Sequence, residues 1–217
     1  MSRDDVRLNM ASWEADSAGY QARNGSQLNR WDRFGWGTWD VLEDEVQALG
    51  DVRGLDVLEL GCGACQSGIK VAMRGGRVIG LDVSANQLGS GLANLEETGA
   101  HVPLVQASAE ELPFAAGSFD LVFCDHGAMT FTDPHESLPE VARVLRPGGQ
   151  LVFNIATPFI GASWGDDDEP PGRELRRRIS VPGARSCETR QGPRSSGASP
   201  TANGSACSAR PVSPSMT

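Results

Sequence analysis

The sequence predicts an α/β fold built as a doubly wound parallel sheet with helices on both of its faces. Short apolar runs of strand length alternate with longer segments in which apolar residues recur at helical spacing. The strand-length runs carry few polar residues, as expected for strands buried on both faces of a parallel sheet. Two of them end in an acid, Asp82 and Asp125, at the position where ligands gather in open sheets of this kind.

The stretch 55–82 contains the most informative part of this pattern: strand, glycine turn, helix, turn and second strand. The first strand ends at Gly61 and Gly63, where a backbone without Cβ atoms can come close to a ligand. The second strand ends at Asp82, which lies 19 residues after Gly63 and suits the two hydroxyls of a ribose. The stretch therefore predicts a nucleoside-binding site.

The residues of the turn indicate which nucleoside it binds. A dinucleotide fingerprint would place a third glycine at position 66, which is Gln66, and this disfavours an NAD-dependent oxidoreductase. Glu59 would repel a pyrophosphate but suits the sulfonium and ammonium groups of S-adenosylmethionine. The stretch resembles motif I of the class I S-adenosylmethionine-dependent methyltransferases. Glu59, Gly61 and Gly63 match that motif, and Cys65 stands where its third glycine is usual.

Three later segments are similar to the same family and follow in the same order. Residues 107–114 resemble its Gly-Asp-Ala-x-x-Leu-Pro-Phe segment, with Ser108 in place of the acid that reaches the adenine amino group. Residues 117–124 resemble a turn with the fourth strand, and residues 143–149 resemble the turn into the fifth. The resemblance implies a Rossmann-like sheet of five parallel strands in the order 3-2-1-4-5, without the family's usual strands six and seven.

The resemblance also implies where S-adenosylmethionine and the methyl acceptor would bind. Tyr20 is a candidate lid residue over the methionine end of the cofactor, with simple packing as the alternative. His126 is the candidate catalytic base by position, with Asp125 or Tyr20 behind it. The backbone at Ala109 can contact the adenine edge. The predicted cofactor-binding residues are Tyr20, Glu59, Gly61, Cys62, Gly63, Asp82, Val83, Gln87, Ser108, Ala109, Glu110 and Asp125, and no metal ligand is predicted.

Local patterns predict how several helices begin. Asp40 with Glu43, and Ser137 with Glu140, are spaced as capping boxes, and Ser84 has the character of an N-cap. A helix is also expected over residues 12–23. A crowd of aromatic residues before the first capping box either lines an acceptor pocket or anchors an irregular segment on the core. These residues are Trp31, Phe34, Trp36 and Trp39.

Composition limits the classes of partner. The 217 residues carry 19 basic and 28 acidic side chains, a net charge of −9 that disfavours nucleic acid as a partner. We expect no membrane partner, because no apolar run approaches the roughly 18 residues of a membrane span and no signal peptide is recognised. Five cysteines, an odd number, suit reduced thiols in a cytoplasmic protein. The expected partner is a small-molecule acceptor, and the oligomeric state is left open.

The predicted domain boundary follows a change in composition. Residues 1–164 are predicted to form the cofactor-binding domain, with a helical lid over about 10–50 and a Rossmann-like core over about 51–160. Residues 165–217 contain no aromatic residue, and 30 of these 53 are Pro, Ser, Gly or Arg. This composition predicts a disordered tail or a segment translated out of frame.

Three functions follow from these patterns. The first is methyl transfer from S-adenosylmethionine to a small molecule. The second is a truncated cofactor-binding chain without catalytic activity, since the missing strands would leave an exposed sheet edge. The third is a thiol redox or metal protein, because Cys62 and Cys65 form a C-x-x-C at a helix start. No second cysteine or histidine pair at zinc spacing accompanies them, which disfavours the third.

Overall fold

A computed structural model describes residues 3–157, which lie within the first of two compact units, Met1–Ile179. The predicted tail, 165–217, and any sixth and seventh strands therefore lie outside the described residues. The elements, in chain order, are α1 (Arg3–Leu28), β1 (Gly35–Trp36), β2 (Val41–Leu42), α2 (Glu43–Val46), β3 (Asp56–Leu60), α3 (Gln66–Met73), β4 (Arg77–Asp82), α4 (Ala85–Thr98), β5 (Leu104–Gln106), β6 (Phe119–Asp125), α5 (Ala128–Phe131), α6 (Pro134–Val144) and β7 (Leu145–Asn154).

A five-stranded sheet in the order β5-β4-β3-β6-β7 forms the centre of the described part of the chain. All four neighbouring pairs of strands are parallel, with an irregularity in register between β6 and β7. The doubly wound fold and the order 3-2-1-4-5 are confirmed. The strand order reverses at the β3–β6 boundary, and such a switch point opens a crevice at the carboxyl ends of the strands.

Strand β3 separates two hydrophobic layers, because alternate side chains of a strand point to opposite faces of the sheet. Val57 packs in one layer with Ile69 of α3, and Leu58 packs in the other with Val141 of α6. All four of these side chains are buried. Glu59 follows Leu58 and therefore points to the face that α3 covers. The alternation thus determines which helix its carboxylate meets.

Helix α4 begins as its sequence predicts. The Ser84 hydroxyl accepts a hydrogen bond from the Gln87 N–H, and Gly99 ends the helix with φ +68°. The carboxylate of Glu14 in α1 accepts hydrogen bonds from the Ala85 and Asn86 N–H groups at 2.5 and 3.2 Å. These bonds satisfy donors that the first turn of a helix leaves unpaired, and they attach α1 to α4.

Helix α1 is much longer than the predicted 12–23 segment, and it covers the carboxyl end of the sheet. At the C-terminal end of α1, the Lys70 ammonium donates a hydrogen bond to the Leu28 carbonyl at 2.8 Å. A side chain of α3 therefore satisfies a terminal carbonyl of α1. Within residues 3–157, every helix is too short or too polar to cross a bilayer.

The predicted Asp40–Glu43 capping box is wrong. Asp40 lies in the turn between β1 and β2 with φ +52°, and α2 is only four residues long. The Glu43 carboxylate instead points inward, where it accepts hydrogen bonds from the Trp36 indole N–H at 2.6 Å and the Leu49 N–H at 2.8 Å. A buried indole N–H needs an acceptor, and this requirement overrides the local capping pattern.

The predicted Ser137–Glu140 capping box is also wrong. Helix α6 begins earlier, at Pro134, and Asp133 is its N-cap, accepting a hydrogen bond from the His135 N–H at 2.9 Å. Proline is favoured in the first helical turn, so the Asp-Pro pair determines the start. Ser137 lies inside the helix, and its hydroxyl donates to the Asp133 carbonyl.

The aromatic cluster before α2 is mainly a core anchor. The rings of Phe34 and Trp36 are buried and stack with centroids 4.9 Å apart, and Phe34 also packs against Phe123 of β6. Trp39 is 84% exposed. Phe34 and Trp36 therefore anchor this segment on the core, as one of the two interpretations predicted. The backbone at Gly35 and Gly37 lines the cavity described below.

Candidate active site

A cavity of about 320 Å³ opens at the carboxyl ends of β3, β4 and β6, beneath α1. It lies at the switch point of the sheet, where ligands bind in open α/β folds. The structure brings all thirteen residues singled out from the sequence to its walls: Tyr20, Glu59, Gly61, Cys62, Gly63, Asp82, Val83, Gln87, Ser108, Ala109, Glu110, Asp125 and His126.

The glycine turn after β3 forms the floor of the cavity. The N–H groups of Gly61 and Cys62 donate to the Leu81 carbonyl at 2.8 and 2.9 Å, which joins the turn to β4. Gly61 has φ +73°, and a Cβ there would collide with the backbone N of Ala128. Only glycine fits, because the turn passes backbone to backbone across the segment that follows β6.

Asp82, at the end of β4, connects the glycine turn to the next helix. One carboxylate oxygen accepts from the Gly63 N–H at 2.8 Å and the other from the Ser84 N–H at 2.9 Å. Burial raises the pKa of this carboxyl, while the backbone hydrogen bonds act to lower it. Each oxygen has a further lone pair, so the fixed carboxylate can accept hydrogen bonds from two hydroxyls in the cavity.

Glu59 is buried against α3, and its carboxylate accepts a hydrogen bond from the Gly68 N–H at 2.8 Å. Burial, supported by the nearby acidic groups, raises the pKa of this carboxyl well above its usual range. A cation in the cavity would favour the ionised carboxylate and reverse part of that shift. Glu59 is therefore suited to a positively charged ligand.

Asp125 and His126 line the cavity at the carboxyl end of β6. Both Asp125 oxygens lie 3.0 Å from the Gly37 N, and the Asn154 amide donates to one of them at 2.9 Å. The His126 backbone has φ +53°, and its N–H donates to the Asn154 carbonyl. Burial, supported by the charge of Asp125, raises the pKa of the Tyr20 phenol, which also lines the cavity.

The residues predicted to contact adenine have different local roles. The Ser108 hydroxyl accepts from the Glu110 N–H at 3.2 Å, a local turn that faces the cavity. The Glu110 carboxylate accepts from the Asp133 N–H at 2.9 Å and so supports the start of α6. Ala109 is buried and packs in the core layer beneath α6.

A chain of side-chain amides joins α1 to the glycine turn, and it was not predicted from the sequence. The Gln66 amide donates to Gln21 at 2.8 Å and to Asn29 at 3.2 Å, and the Gln21 amide donates to Gln87 at 2.9 Å. Asn29 donates to Asn94, which donates to the carbonyl of the turn residue Ala64. The partners are far apart in sequence, and no local pattern pairs them.

Gly37 and Asn154 are also site residues that sequence reasoning missed. A Cβ at Gly37 would meet the Asn154 amide and lie 3.0 Å from the His126 imidazole, so the two backbones need a glycine at this position. The available signal was the Gly35–Gly37 spacing within the aromatic cluster, which indicated a close backbone approach without naming its partner.

Comparison with known proteins identifies the domain. Residues 58–153 match a family described as Methyltransferase domain. Over these residues the chain is similar to the class I S-adenosylmethionine-dependent methyltransferases. The matched segment of this methyltransferase domain begins in β3 and ends in β7, so it contains the glycine turn, Asp82 and Asp125.

Curated relatives share this domain with the chain. The demethylmenaquinone methyltransferase of Lactococcus lactis is 38% identical over 111 residues, 49% of this chain and 44% of that protein. The ubiquinone biosynthesis O-methyltransferase of Aromatoleum aromaticum is 35% identical over 112 residues, 51% of this chain and 48% of that protein. The chain thus spans about half the length of the curated relatives it matches.

Solved structures of methyltransferases also resemble the chain. An S-adenosylmethionine-dependent methyltransferase from Mesorhizobium loti is 28% identical, with a TM-score of 0.48, and the match covers 54% of each chain.

Proposed function

We propose that this methyltransferase domain binds S-adenosylmethionine and transfers its methyl group to a small-molecule acceptor. The observation that carries the proposal is the position of two carboxylates, Glu59 and Asp82, on one cavity with the glycine turn between them. Their strands, β3 and β4, are neighbours in the sheet. The relatives named for demethylmenaquinone and ubiquinone biosynthesis support an acceptor of the phenol or quinol class.

Each end of the cavity suits a different part of the cofactor. Asp82, fixed by two backbone N–H groups, accepts the ribose hydroxyls. Glu59 balances the positive charge of the methionine part, with Tyr20 above it. The turn of Ser108 to Glu110 contacts the adenine. The remaining residues of the proposed cofactor set are Gly61, Cys62, Gly63, Val83, Gln87 and Asp125.

The reaction mainly requires the acceptor to be aligned with the methyl group of the cofactor. S-adenosylmethionine supplies a methyl group on a sulfonium that is already an activated leaving group. The protein aligns the acceptor with that methyl and takes the acceptor's proton where one must leave. We assign the proton to His126, which lines the cavity at the end of β6 beside Asp125. The His126 backbone has a left-handed conformation, and its N–H donates a hydrogen bond to the Asn154 carbonyl. Together these features fix the position at which the imidazole side chain leaves the backbone.

We also propose domain boundaries and a cellular compartment for the protein. We assign residues 1–164 to the methyltransferase domain, with about 10–50 as a lid and about 51–160 as the core. The position of α1 over the cavity supports this lid. The free thiols of Cys62, Cys65 and Cys124 support a reducing compartment such as the cytoplasm. The acidic net charge supports a small molecule rather than a nucleic acid as acceptor.

A methyl-transfer assay on the full chain tests this function. Formation of S-adenosylhomocysteine is measured with a panel of phenol, catechol and quinol acceptors, and at least one acceptor should be methylated. His126→Gln should lower kcat by roughly 10²–10⁴-fold and leave the Kd for S-adenosylmethionine unchanged, since the loss is that of a general base. The matched control, His135→Gln, changes a histidine of α6 outside the cavity lining and should leave kcat unchanged.

Two results of this assay would contradict the proposal. Binding of S-adenosylmethionine without turnover of any acceptor would favour the cofactor-binding chain without activity. Equal turnover by the wild-type protein and His126→Gln would remove His126 from the mechanism while leaving the methyltransferase assignment intact.

A further inference from the structure

Three potential metal ligands converge beneath the glycine turn. Glu59, Cys62 and Cys65 each place a ligand atom within 4.8 Å of the other two, and all three residues are buried. The Cys65 N–H donates to the Cys62 carbonyl at 2.8 Å, so the cysteines are the first and last residues of a tight turn. Both thiols are free. The turn therefore brings two sulfurs close to one carboxylate.

Two glycines from different elements leave room for this cluster. A Cβ on Gly68 of α3 would collide with the Glu59 carboxylate and lie 2.9 Å from the Cys65 sulfur. A Cβ on Gly80 of β4 would lie 2.9 Å from a methyl carbon of Leu104 and 3.0 Å from the Cys62 sulfur. Neither glycine has a positive φ, so backbone conformation does not demand glycine at either position. Gly68 leaves room for Glu59 and Cys65, and Gly80 leaves room for Cys62 and Leu104.

We propose that Glu59, Cys62 and Cys65 bind one thiophilic divalent cation, such as Zn²⁺ or Cd²⁺. Two thiolates and a carboxylate are a ligand set that zinc accepts, and three protein ligands leave a fourth tetrahedral position open. The proposed site borders the cavity, because Glu59 and Cys62 both line it. The Gly68 N–H holds one Glu59 oxygen, which leaves the other oxygen for the cation.

The cation and the cofactor share a residue. Glu59 is a ligand in this site and also belongs to the proposed cofactor set, so bound cation should weaken the binding of S-adenosylmethionine. This consequence rests on the proposed function, whereas cation binding by the free protein does not. The two are therefore tested separately.

Cobalt titration of the full chain tests the site directly. Cys187 and Cys207 lie outside the described residues and would add thiols, so both are first changed to serine. The metal-free protein, kept reduced with a thiol-free reductant, is titrated with Co²⁺ and followed by thiolate-to-cobalt charge-transfer absorption. We expect one cobalt per chain, with intense d–d bands of a tetrahedral site, and displacement by Zn²⁺. An octahedral, thiolate-free spectrum or no binding overturns the proposal.

Matched variants assign the signal to these ligands. Cys65→Gly removes one sulfur at a backbone position with φ +59°, which glycine adopts without strain, so the variant should fold. It should weaken cobalt binding at least about tenfold, because a direct ligand matters no less than its supporting contacts. Cys124→Ala removes an equally buried thiol outside the cluster and should keep the full spectrum. Cobalt binding by Cys65→Gly with the affinity and spectrum of the parent protein overturns the assignment.

Calorimetry then tests the competition. Zn²⁺ should weaken the binding of S-adenosylmethionine to the Cys187→Ser, Cys207→Ser protein and have little effect on the same protein carrying Cys65→Gly. If neither protein binds the cofactor, the proposed function fails while the cobalt result stands. If the protein binds both zinc and S-adenosylmethionine, and zinc does not change the affinity for S-adenosylmethionine, then Glu59 does not contribute to both sites.

Discussion

At the scale of the residue, Gly61 shows how strongly the site depends on close backbone approach. Its positive φ and its contact with Ala128 each exclude a side chain. Because a strained backbone conformation costs about 1–3 kcal/mol, Gly61→Ala should lower the free energy of unfolding by at least that amount and abolish cofactor binding. Urea denaturation and calorimetry measure the two effects.

Gly25→Ala is the matched control for Gly61→Ala. Gly25 lies inside α1 with no atom within 4 Å of a Cβ built on it. Because alanine is favoured over glycine in a helix, this change should raise stability by about 0.5–1 kcal/mol. Equal stability of the wild-type protein and Gly61→Ala would show that the turn does not pack as described.

Site residues could be predicted from the sequence where local structure determines their place. Glu59 and Asp82 belong to one strand-turn-helix-strand unit, so the lengths of its elements bring both acids to the same edge of the sheet. Gly37 and Asn154 meet Asp125 from distant parts of the chain. Hydrogen bonds between distant polar groups have no periodic pattern, and the sequence therefore did not reveal them.

Among the elements, α1 is joined to the glycine turn by the amide chain. Gln66→Ala should remove the hydrogen bonds from α3 to Gln21 and Asn29 and leave their oxygens without this donor. The free energy of unfolding should fall by about 1–3 kcal/mol. Amide hydrogen exchange in α1 should become faster, and S-adenosylmethionine should dissociate faster, while the exchange of β3 and β6 amides is unchanged.

Gln150→Ala controls for the loss of a glutamine side chain. Gln150 is an exposed residue of β7 outside the amide chain, so its removal should leave both α1 exchange and cofactor dissociation unchanged. If α1 exchanges at the same rate in wild type and Gln66→Ala, the amides do not hold the lid, and other α1 contacts such as Glu14 with α4 carry that role.

The sequence predicted the elements of the sheet better than those around it. Strands β3, β4 and β6 are short, mainly apolar runs bounded by turns, as is typical of strands in a parallel sheet. Helix α1 has no comparable apolar stripe, so only its middle was expected, and its polar side chains are used for hydrogen bonds to α3 and α4. The two predicted capping boxes do not form. The Glu43 carboxylate accepts the hydrogen bond of the buried Trp36 indole, and the Asp133–Pro134 pair starts α6 before Ser137.

At the scale of the whole molecule, the fold explains why a charged nucleoside fits this cavity. The strand order reverses beside β3, and the resulting crevice receives acids from the ends of β4 and β6 as well as from β3. Burial raises the pKa of Glu59 and of Asp82, and a cationic ligand beside them would favour their ionised forms. We therefore expect these carboxylates to recognise S-adenosylmethionine.

Calorimetric titration with S-adenosylmethionine tests that claim most directly, comparing the wild-type chain with Asp82→Ala, Asp82→Asn and a control. The control, Asp51→Ala, removes an exposed acid that is bonded to Arg53 outside the cavity. Hydrogen bonds to a charged group contribute about 1.5–3 kcal/mol, so Asp82→Ala should bind roughly 10- to 150-fold more weakly, with Asp82→Asn in between and Asp51→Ala unchanged. Wild-type affinity in both Asp82 variants, with their folds intact, would contradict the account.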